Sequence, residues 1–152
     1  MDMDSITDKL WLGAGVTTEV EVEELINKGI THVIDMRAEF DDHTIFKNRG
    51  VNVLWLPQND DGTPRPPEQV VKGIAFAFAA LGFRNESEMI LRDKVYVHCA
   101  AGVNRGPTEM YAILRAYGLT QDEAIGLLKR KRPKVGFYNI QAYVDSVNSV
   151  IA

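Results

Sequence analysis

The sequence contains one cysteine, no long apolar run and no excess of positive charge, and each shortage excludes a class of protein. A lone cysteine cannot form an internal disulfide, so a disulfide-stabilised secreted module is excluded. Residues 1–4 are acidic and lack the basic and apolar regions of a signal peptide, and no apolar run reaches membrane-spanning length. The net charge of −4 gives no general attraction for nucleic acid. We therefore expect a cytoplasmic protein without a membrane span.

The length and the order of the segments predict one α/β domain. A chain of 152 residues, 45% of them hydrophobic, can bury a core of its own, and it contains no repeats or linkers. Strands are predicted at residues 9–13, 31–36, 51–56 and 94–98. Helices are predicted at residues 19–28, 67–81, 107–117, 121–132 and 139–150. This alternation predicts a central, mostly parallel sheet of four to five strands flanked by helices.

Cys99 follows the strand predicted at 94–98, and the carboxyl ends of parallel strands are where such sheets bind ligands. Five residues separate it from Arg105, and these are Ala100, Ala101, Gly102, Val103 and Asn104. Such a loop can turn its N–H groups inward around an anion, and Gly102 relaxes the backbone constraint. The guanidinium of Arg105 can bind two phosphate oxygens. The segment therefore predicts a phosphate-binding loop around a nucleophilic thiolate, with a buried thiol near a surface arginine as the alternative.

Attack on phosphorus also requires a proton donor for the departing oxygen. The loop after the third predicted strand offers two adjacent carboxylates, Asp60 and Asp61. Acidic loops rich in glycine and proline are most often plain turns, so this assignment depends on the cysteine loop. His98, which directly precedes the cysteine, either tunes the thiolate through a hydrogen bond or has a structural role.

The motif of His98 and Cys99, followed by five residues and Arg105, resembles the signature of the cysteine-dependent protein tyrosine phosphatases. The Ala-Ala-Gly tripeptide inside the loop and the short chain resemble the dual-specificity branch of that superfamily. Further segments resemble the same branch in the same order along the chain, and they are residues 10–13, 29–35, 60–64, 123–124 and 132–133. The resemblance implies a single phosphatase-like domain over residues 1–152.

The resemblance implies a phosphoester hydrolase that forms a cysteinyl-phosphate on Cys99. Arg105 and the loop amides would stabilise the transition state, and Asp61 would protonate the leaving oxygen and then activate water. Asp60 stays open as the alternative acid. Asn139 resembles an asparagine that positions the loop or water in related enzymes, with a helix-capping role as the alternative. No cofactor or metal is expected, because the arginine and the loop already meet the charge of the phosphate.

One position departs from the family pattern. A serine or threonine usually follows the signature arginine and helps the thiolate to leave, whereas this chain has Gly106 there, followed by Pro107 and Thr108. The phosphatases of regenerating liver have a comparable small apolar residue. We expect slow breakdown of the cysteinyl-phosphate, with Thr108 as a partial substitute. A slow-turnover, pseudophosphatase-like phosphate-binding module is therefore the second hypothesis.

The sequence leaves the substrate open. A phosphorylated protein is the expected partner, and a phosphoinositide or an RNA 5′-phosphate is the alternative. Two further groups are interpreted as structural. Asp35, Arg37 and Glu39 are predicted to form an ion-pair cluster without a chemical role, and the basic residues 129–132 with Lys134 are predicted to be the solvated end of a helix, with an anion-steering patch as the alternative.

Overall fold

The computed structural model describes residues 1–82 and 93–151, in which strands and helices alternate. The strands are β1 (Met3–Ser5), β2 (Leu10–Gly13), β3 (His32–Arg37), β4 (Asn52–Gln58) and β5 (Val95–His98). The helices are α1 (Glu19–Asn27), α2 (Pro67–Leu81), α3 (Arg105–Ala116), α4 (Gln121–Lys131) and α5 (Gln141–Asn148), with a 3-10 turn at Phe137–Asn139. No helix in these described ranges is long and apolar enough to cross a membrane.

The strands form one sheet in the order β1-β2-β5-β3-β4. The last four strands in this order run parallel, which confirms the predicted mostly parallel sheet. β5 lies in the centre and is buried on both faces, as its run of apolar residues predicts. β1 was not predicted, because three residues carry too little periodicity. It forms only by antiparallel pairing with β2, in which Met3 lies opposite Gly13.

The helix boundaries follow local capping in some places and tertiary contacts in others. Thr18 and Thr120 each form the capping box expected at the start of α1 and α4. α3 begins at Arg105, two residues before the predicted start. The prediction for the last helix was wrong at its N-terminus: α5 begins at Gln141, because the preceding residues form the 3-10 turn.

α3 is the central helix of the domain, and its residues from Arg105 to Leu114 are all buried. It packs on the sheet and against α2, α4 and α5. Its first turn directly follows the loop after β5, so the packing of α3 fixes where that loop ends. The loop therefore lies between two rigid elements at the carboxyl edge of the parallel strands.

Candidate active site

The loop that follows Cys99 has its carbonyl oxygens bonded to groups outside the loop. The N–H of Gly15 donates to the Ala100 carbonyl at 2.9 Å, and the N–H of Gly136 donates to the Val103 carbonyl at 2.8 Å. Because the C=O and N–H of a trans peptide point in opposite directions, these contacts turn the amide N–H groups toward the other side of the loop.

Arg132 holds the middle of the same loop. Its Nε donates to the Gly102 carbonyl at 2.9 Å and its Nη2 to the Ala101 carbonyl at 3.1 Å. The remaining guanidinium donors bond to Asp2 and Asp4, which are brought to this place by β1. A single buried arginine therefore joins the N-terminal strand to the phosphate-binding loop predicted from the sequence.

The interpretation of the basic run as solvated was wrong for Arg132, whose side chain is 0% exposed. Lys129, Arg130 and Lys131 are exposed, as expected for the end of a helix. Arg132 is the residue after the end of α4, and the chain turns it inward because the loop carbonyls and two carboxylates satisfy its donors there. Sequence charge alone did not separate it from its neighbours.

The amide N–H groups of residues 100–104 have no hydrogen-bond partner within the described part of the chain. Gly102 has a φ of +69°, a conformation that favours glycine and that lets the loop close on itself. A series of unpaired N–H groups in such a loop is an anion nest, and the N-terminus of α3 adds its positive dipole end. The loop is therefore prepared to bind an oxyanion.

Arg105 is oriented by a carboxylate on one edge of its guanidinium. Nη1 and Nη2 donate to the two carboxylate oxygens of Glu39 at 2.7 and 3.1 Å, and Nη1 also donates to the Gln58 carbonyl at 2.8 Å. A guanidinium has five N–H donors, so the Nε–H and one Nη2–H remain on the opposite edge. Nε is buried without a partner among the described residues. That free edge has the geometry for bidentate binding of phosphate.

Electrostatics link this arginine to both of its neighbours. The hydrogen bonds with Glu39 raise the pKa of Arg105, burial opposes this rise, and the electrostatic interaction with the nearby Cys99 adds to it. The same hydrogen bonds lower the pKa of Glu39 to about 2, so Glu39 stays ionised at any neutral or mildly acidic pH. The fixed charge of Glu39 keeps the arginine in place before an anion arrives.

Glu39 was therefore wrongly grouped with Asp35 and Arg37. It lies two residues beyond the end of β3, next to the loop after β5, because the parallel register pairs Asp35 with His98. Residues that follow β3 must border residues that follow β5. The local pattern of residues 35–39 contains no signal for this placement, which the strand register determines.

The cluster beneath the loop consists of Asp35, Arg37, Asp42 and His98, all buried. Arg37 donates to Asp35 at 3.2 Å and to Asp42 at 2.6 Å, and His98 Nε2 contacts the Asp42 carboxylate. The other ring nitrogen of His98 lies 3.2 Å from the Cys99 carbonyl oxygen. Burial raises the pKa of Asp35, and the neighbouring His98 opposes this rise. His98 thus contacts the backbone of Cys99.

Asp35, Asp42 and His98 also have the composition of a metal site, and they form the only such cluster in residues 1–82 and 93–151. The guanidinium of Arg37 already donates to both carboxylates and supplies the positive charge that an ion would bring. The cluster is therefore a closed structural network. Asp42 was not singled out in the sequence, because nothing in its local pattern separates it from a loop aspartate.

The loop that contains Asp60 and Asp61 is the predicted acid loop, and its two aspartates contact different residues. Asp60 accepts from the Tyr143 hydroxyl at 3.0 Å and from Asn104 Nδ2 at 3.2 Å, so it connects this loop to the loop of residues 100–104. Asp61 is exposed and accepts from the N–H and Oγ1 of Thr63 at 3.1 and 2.7 Å. These hydrogen bonds hold the pKa of Asp61 below its usual range. Tyr143, in α5, was not predicted as part of the site.

The family model for "Dual specificity phosphatase, catalytic domain" matches residues 10–142. The chain belongs to this family. The match includes the anion nest, Arg105 and the acid loop, and it confirms the resemblance to the dual-specificity branch of the cysteine-dependent phosphatases.

Individual members of the phosphatase family are similar over most of this chain. The protein tyrosine phosphatase PRL-1 of Leishmania major is 29% identical over 112 residues, which cover 73% of this chain and 63% of that protein. The mouse protein tyrosine phosphatase type IVA 2 is 31% identical over 110 residues, which cover 72% of this chain and 62% of that protein. The chain thus spans less than two thirds of the length of these relatives.

Solved structures show the same fold. The crystal structure of PTPMT1 in complex with PI(5)P has a TM-score of 0.76 and 21% identity, and the match covers 99% of each chain. The human tyrosine phosphatase-like serine/threonine/tyrosine-interacting protein has a TM-score of 0.77 and 19% identity, covering 97% of this chain and 94% of that chain. Because the fold also occurs in a protein called phosphatase-like, the fold alone does not establish an activity.

Three further candidate residues of this phosphatase-family domain are Thr108, Asn139 and Gly106. The Thr108 hydroxyl donates to the Asn104 carbonyl at 2.7 Å, which commits its proton to the start of α3. Asn139 lies in the 3-10 turn with an exposed side chain, and it does not cap α5. Gly106 packs tightly, since a Cβ there would lie 3.2–3.3 Å from backbone atoms of His98 and Cys99.

Replacement of Gly102 by alanine is expected to damage the nest. The positive φ costs an alanine about 1–2 kcal/mol, and a Cβ at this position would overlap Gly13 and the Arg132 side chain. We expect Gly102→Ala to lower the affinity for orthovanadate at least tenfold, as measured by inhibition or calorimetry. Gly118→Ala is the matched control, because Gly118 also has a positive φ and open space around it. Equal vanadate affinity in both variants would contradict the assignment of the nest.

Proposed function

We propose that this chain forms a single phosphatase-like domain over residues 1–152 that hydrolyses phosphoesters through a cysteinyl-phosphate on Cys99. The observation that supports this most strongly is the combination of unpaired N–H groups in residues 100–104 with the free edge of Arg105. Both sets of donors adjoin the only cysteine of the chain. Such a set of donors matches the oxygens of a phosphoryl group in transfer.

In the first step the Cys99 thiolate attacks phosphorus, so an S–P bond forms as the P–O bond to the leaving group breaks. The nest and Arg105 bind the non-bridging oxygens and stabilise their charge. The leaving oxygen takes a proton from Asp61, which must first leave its hydrogen bonds with Thr63. Asp60 docks the acid loop through Asn104 and Tyr143, and we assign it a positioning role.

In the second step Asp61 acts as the base and removes a proton from water, whose oxygen attacks phosphorus. The S–P bond breaks, inorganic phosphate forms, and the electron pair returns to the Cys99 sulfur. The amide N–H groups of the nest stabilise the departing thiolate. His98 supports this step indirectly: its ring contacts the Cys99 carbonyl and the Asp42 carboxylate, and these contacts fix the start of the loop.

The second candidate function is a phosphate-binding module that forms the intermediate and releases it slowly. Gly106 favours this candidate because it offers no hydroxyl to the departing thiolate, and the hydroxyl of Thr108 is already bonded to Asn104. Stopped-flow measurement of both products separates the two functions. Steady release of phosphate supports an enzyme, whereas a burst of leaving group equal to the enzyme concentration, followed by almost no phosphate, supports the module.

Gly106→Ser is expected to accelerate the breakdown of the cysteinyl-phosphate about tenfold, because a hydrogen bond to a charged group contributes about 1.5–3 kcal/mol. Gly106→Ala is the matched control, since it introduces the same close Cβ without a hydroxyl. The measurement is single-turnover phosphate release. If the serine and alanine variants release phosphate at the same rate, the missing hydroxyl does not limit turnover.

The proposed substrate is a phosphorylated protein, in line with the names of the Leishmania and mouse relatives. A phosphoinositide is the alternative, because PTPMT1 was crystallised in complex with PI(5)P. An RNA 5′-phosphate is a third class with the same terminal phosphomonoester. The cytoplasmic location expected from the sequence stays a prediction.

A further inference from the structure

An ion pair that the proposed mechanism does not use lies behind the site. Nη1 of Arg65 is 2.7 Å from Oε1 of Glu109, and the two side chains are 1% and 0% exposed. Burial raises the pKa of Glu109 to about 7, and the charge of Arg65 opposes this rise. No motif in the sequence pointed to either residue.

The pair is poorly suited to stabilise the fold. The guanidinium nitrogens of Arg65 and both carboxylate oxygens of Glu109 are buried, and none makes an aligned hydrogen bond within the described part of the chain. Buried charges with incomplete partners are unfavourable relative to apolar side chains of similar size. α2 nevertheless accommodates the pair, because a Cβ at Gly73 would overlap the Glu109 carboxylate. A role in positioning the segments that carry Arg65 and Glu109 therefore explains the pair better than a contribution to the stability of the fold.

The two residues belong to the two parts of the site that must be brought together. Arg65 follows Asp61 by four residues and ends the exposed part of the acid loop. Its N–H donates to the hydroxyl of Ser146 in α5 at 2.8 Å, so its backbone is also fixed. Glu109 follows Arg105 by four residues, one turn further along α3. The ion pair therefore connects the end of the acid loop to the helix that begins with the phosphate-binding arginine.

We propose that Arg65 and Glu109 are a positioning pair that sets the distance of the acid loop from the phosphate held by Arg105. This inference rests on the proposed phosphatase function. The acid loop is then held at two points: Asp60 is bonded to Tyr143 and Asn104, and Arg65 is held by Glu109 and Ser146. The exposed residues 61–64 span these two points and carry the general acid.

The test is Glu109→Gln, which keeps the shape of the side chain and removes its charge. We expect the rate of cysteinyl-phosphate formation, measured as the burst of leaving group, to fall about tenfold for an aryl phosphate with a weakly acidic phenol, because a displaced acid transfers its proton less well. For a strongly acidic phenol, which needs little protonation, the burst rate is expected to change less than about twofold, as is the inhibition constant of orthovanadate. Glu68→Gln is the matched control, an exposed carboxylate three residues beyond Arg65 that should change none of these values.

A double variant separates positioning from folding. Arg65→Met with Glu109→Met replaces the pair by apolar side chains, a change that buried ion pairs often tolerate without loss of stability. The inference holds if this variant folds and still loses rate only with the weakly acidic phenol. It is overturned if both phenols are affected equally in the variants, or if either variant shows wild-type rates. Failure of the proposed function itself is distinct, because the unaltered chain would then form no cysteinyl-phosphate with either substrate.

Discussion

Replacement of Cys99 by serine is expected to reduce the hydrolysis of an aryl phosphate by about 10⁴-fold or more, the size of effect seen when an enzyme loses its nucleophile. A serine hydroxyl is a weak nucleophile without an adjacent general base. Among the described residues, no side chain is placed to act as a base for a hydroxyl at position 99. The burst of leaving group should disappear as well. Steady-state assays and stopped-flow absorbance measure the two effects.

The same variant should retain phosphate binding, because the N–H groups of residues 100–104 and the free edge of Arg105 are unchanged. Arg105→Lys is the informative counterpart. It keeps the positive charge and loses the planar fork, so both phosphate affinity and rate should fall, the rate by about 10²–10³-fold. If the serine variant hydrolyses the aryl phosphate at the wild-type rate, the nucleophile is another residue and the proposed mechanism fails.

The serine variant also identifies the substrate class. It can be mixed with phosphopeptides, with phosphoinositide-containing vesicles and with 5′-phosphorylated RNA, and the retained class can be measured by co-sedimentation or filter binding. Retention of phosphopeptides alone would support the expected protein substrate. Retention of vesicles or RNA alone would assign the site to one of the other two classes.

Asp61→Asn is expected to lower the rate of cysteinyl-phosphate formation, measured as the burst of leaving group, by about 10²–10⁴-fold for a substrate with a weakly acidic leaving group, and much less for a strongly acidic one. The leaving oxygen needs a proton only when it is basic, so the ratio between the two substrates reports the general acid. In the structure the hydrogen bonds of Thr63 keep the pKa of Asp61 low, which favours the ionised form while the carboxylate remains there. Proton donation therefore requires the loop to release Asp61 from Thr63.

Asp60→Asn is the matched control for this assignment, as the same change one residue earlier in the same loop. Asp60 docks the loop through Tyr143 and Asn104, so we expect a smaller loss, less than about tenfold. A leaving-group-dependent loss in the Asp60 variant, with little effect in the Asp61 variant, would exchange the two roles.

Local sequence was sufficient wherever a feature depends on neighbouring residues. The capping boxes at Thr18 and Thr120 were predicted because both partners lie within four residues. The central strand Val95–His98 was predicted from its apolar run, and the cysteine loop from the spacing between Cys99 and Arg105. The strand β1 and the start of α5 were missed, because pairing with β2 and the 3-10 turn determine them.

Contacts between distant segments could not be predicted in the same way. Glu39 orients Arg105 from 66 positions away in the chain, and Arg132 reaches Asp2 across 130 positions. Both residues had been interpreted as surface or structural charges, because a charged side chain has the same local pattern whether it faces water or a buried partner. No local pattern distinguishes Asp42, Tyr143 or the Arg65–Glu109 pair either, because their partners are also remote in the chain.

The sequence by itself determined the family, the α/β fold, the only cysteine and the arginine that accompanies it, because these follow from the order and spacing of residues along the chain. Only the tertiary structure decided which charges surround that loop and how its carbonyl groups are engaged. It also determined that the carboxylates of Asp60 and Asp61 accept hydrogen bonds from different residues. Hydrogen bonds and ion pairs depend on distance and direction in space, and packing sets these only when the sheet and α3 have brought remote segments together.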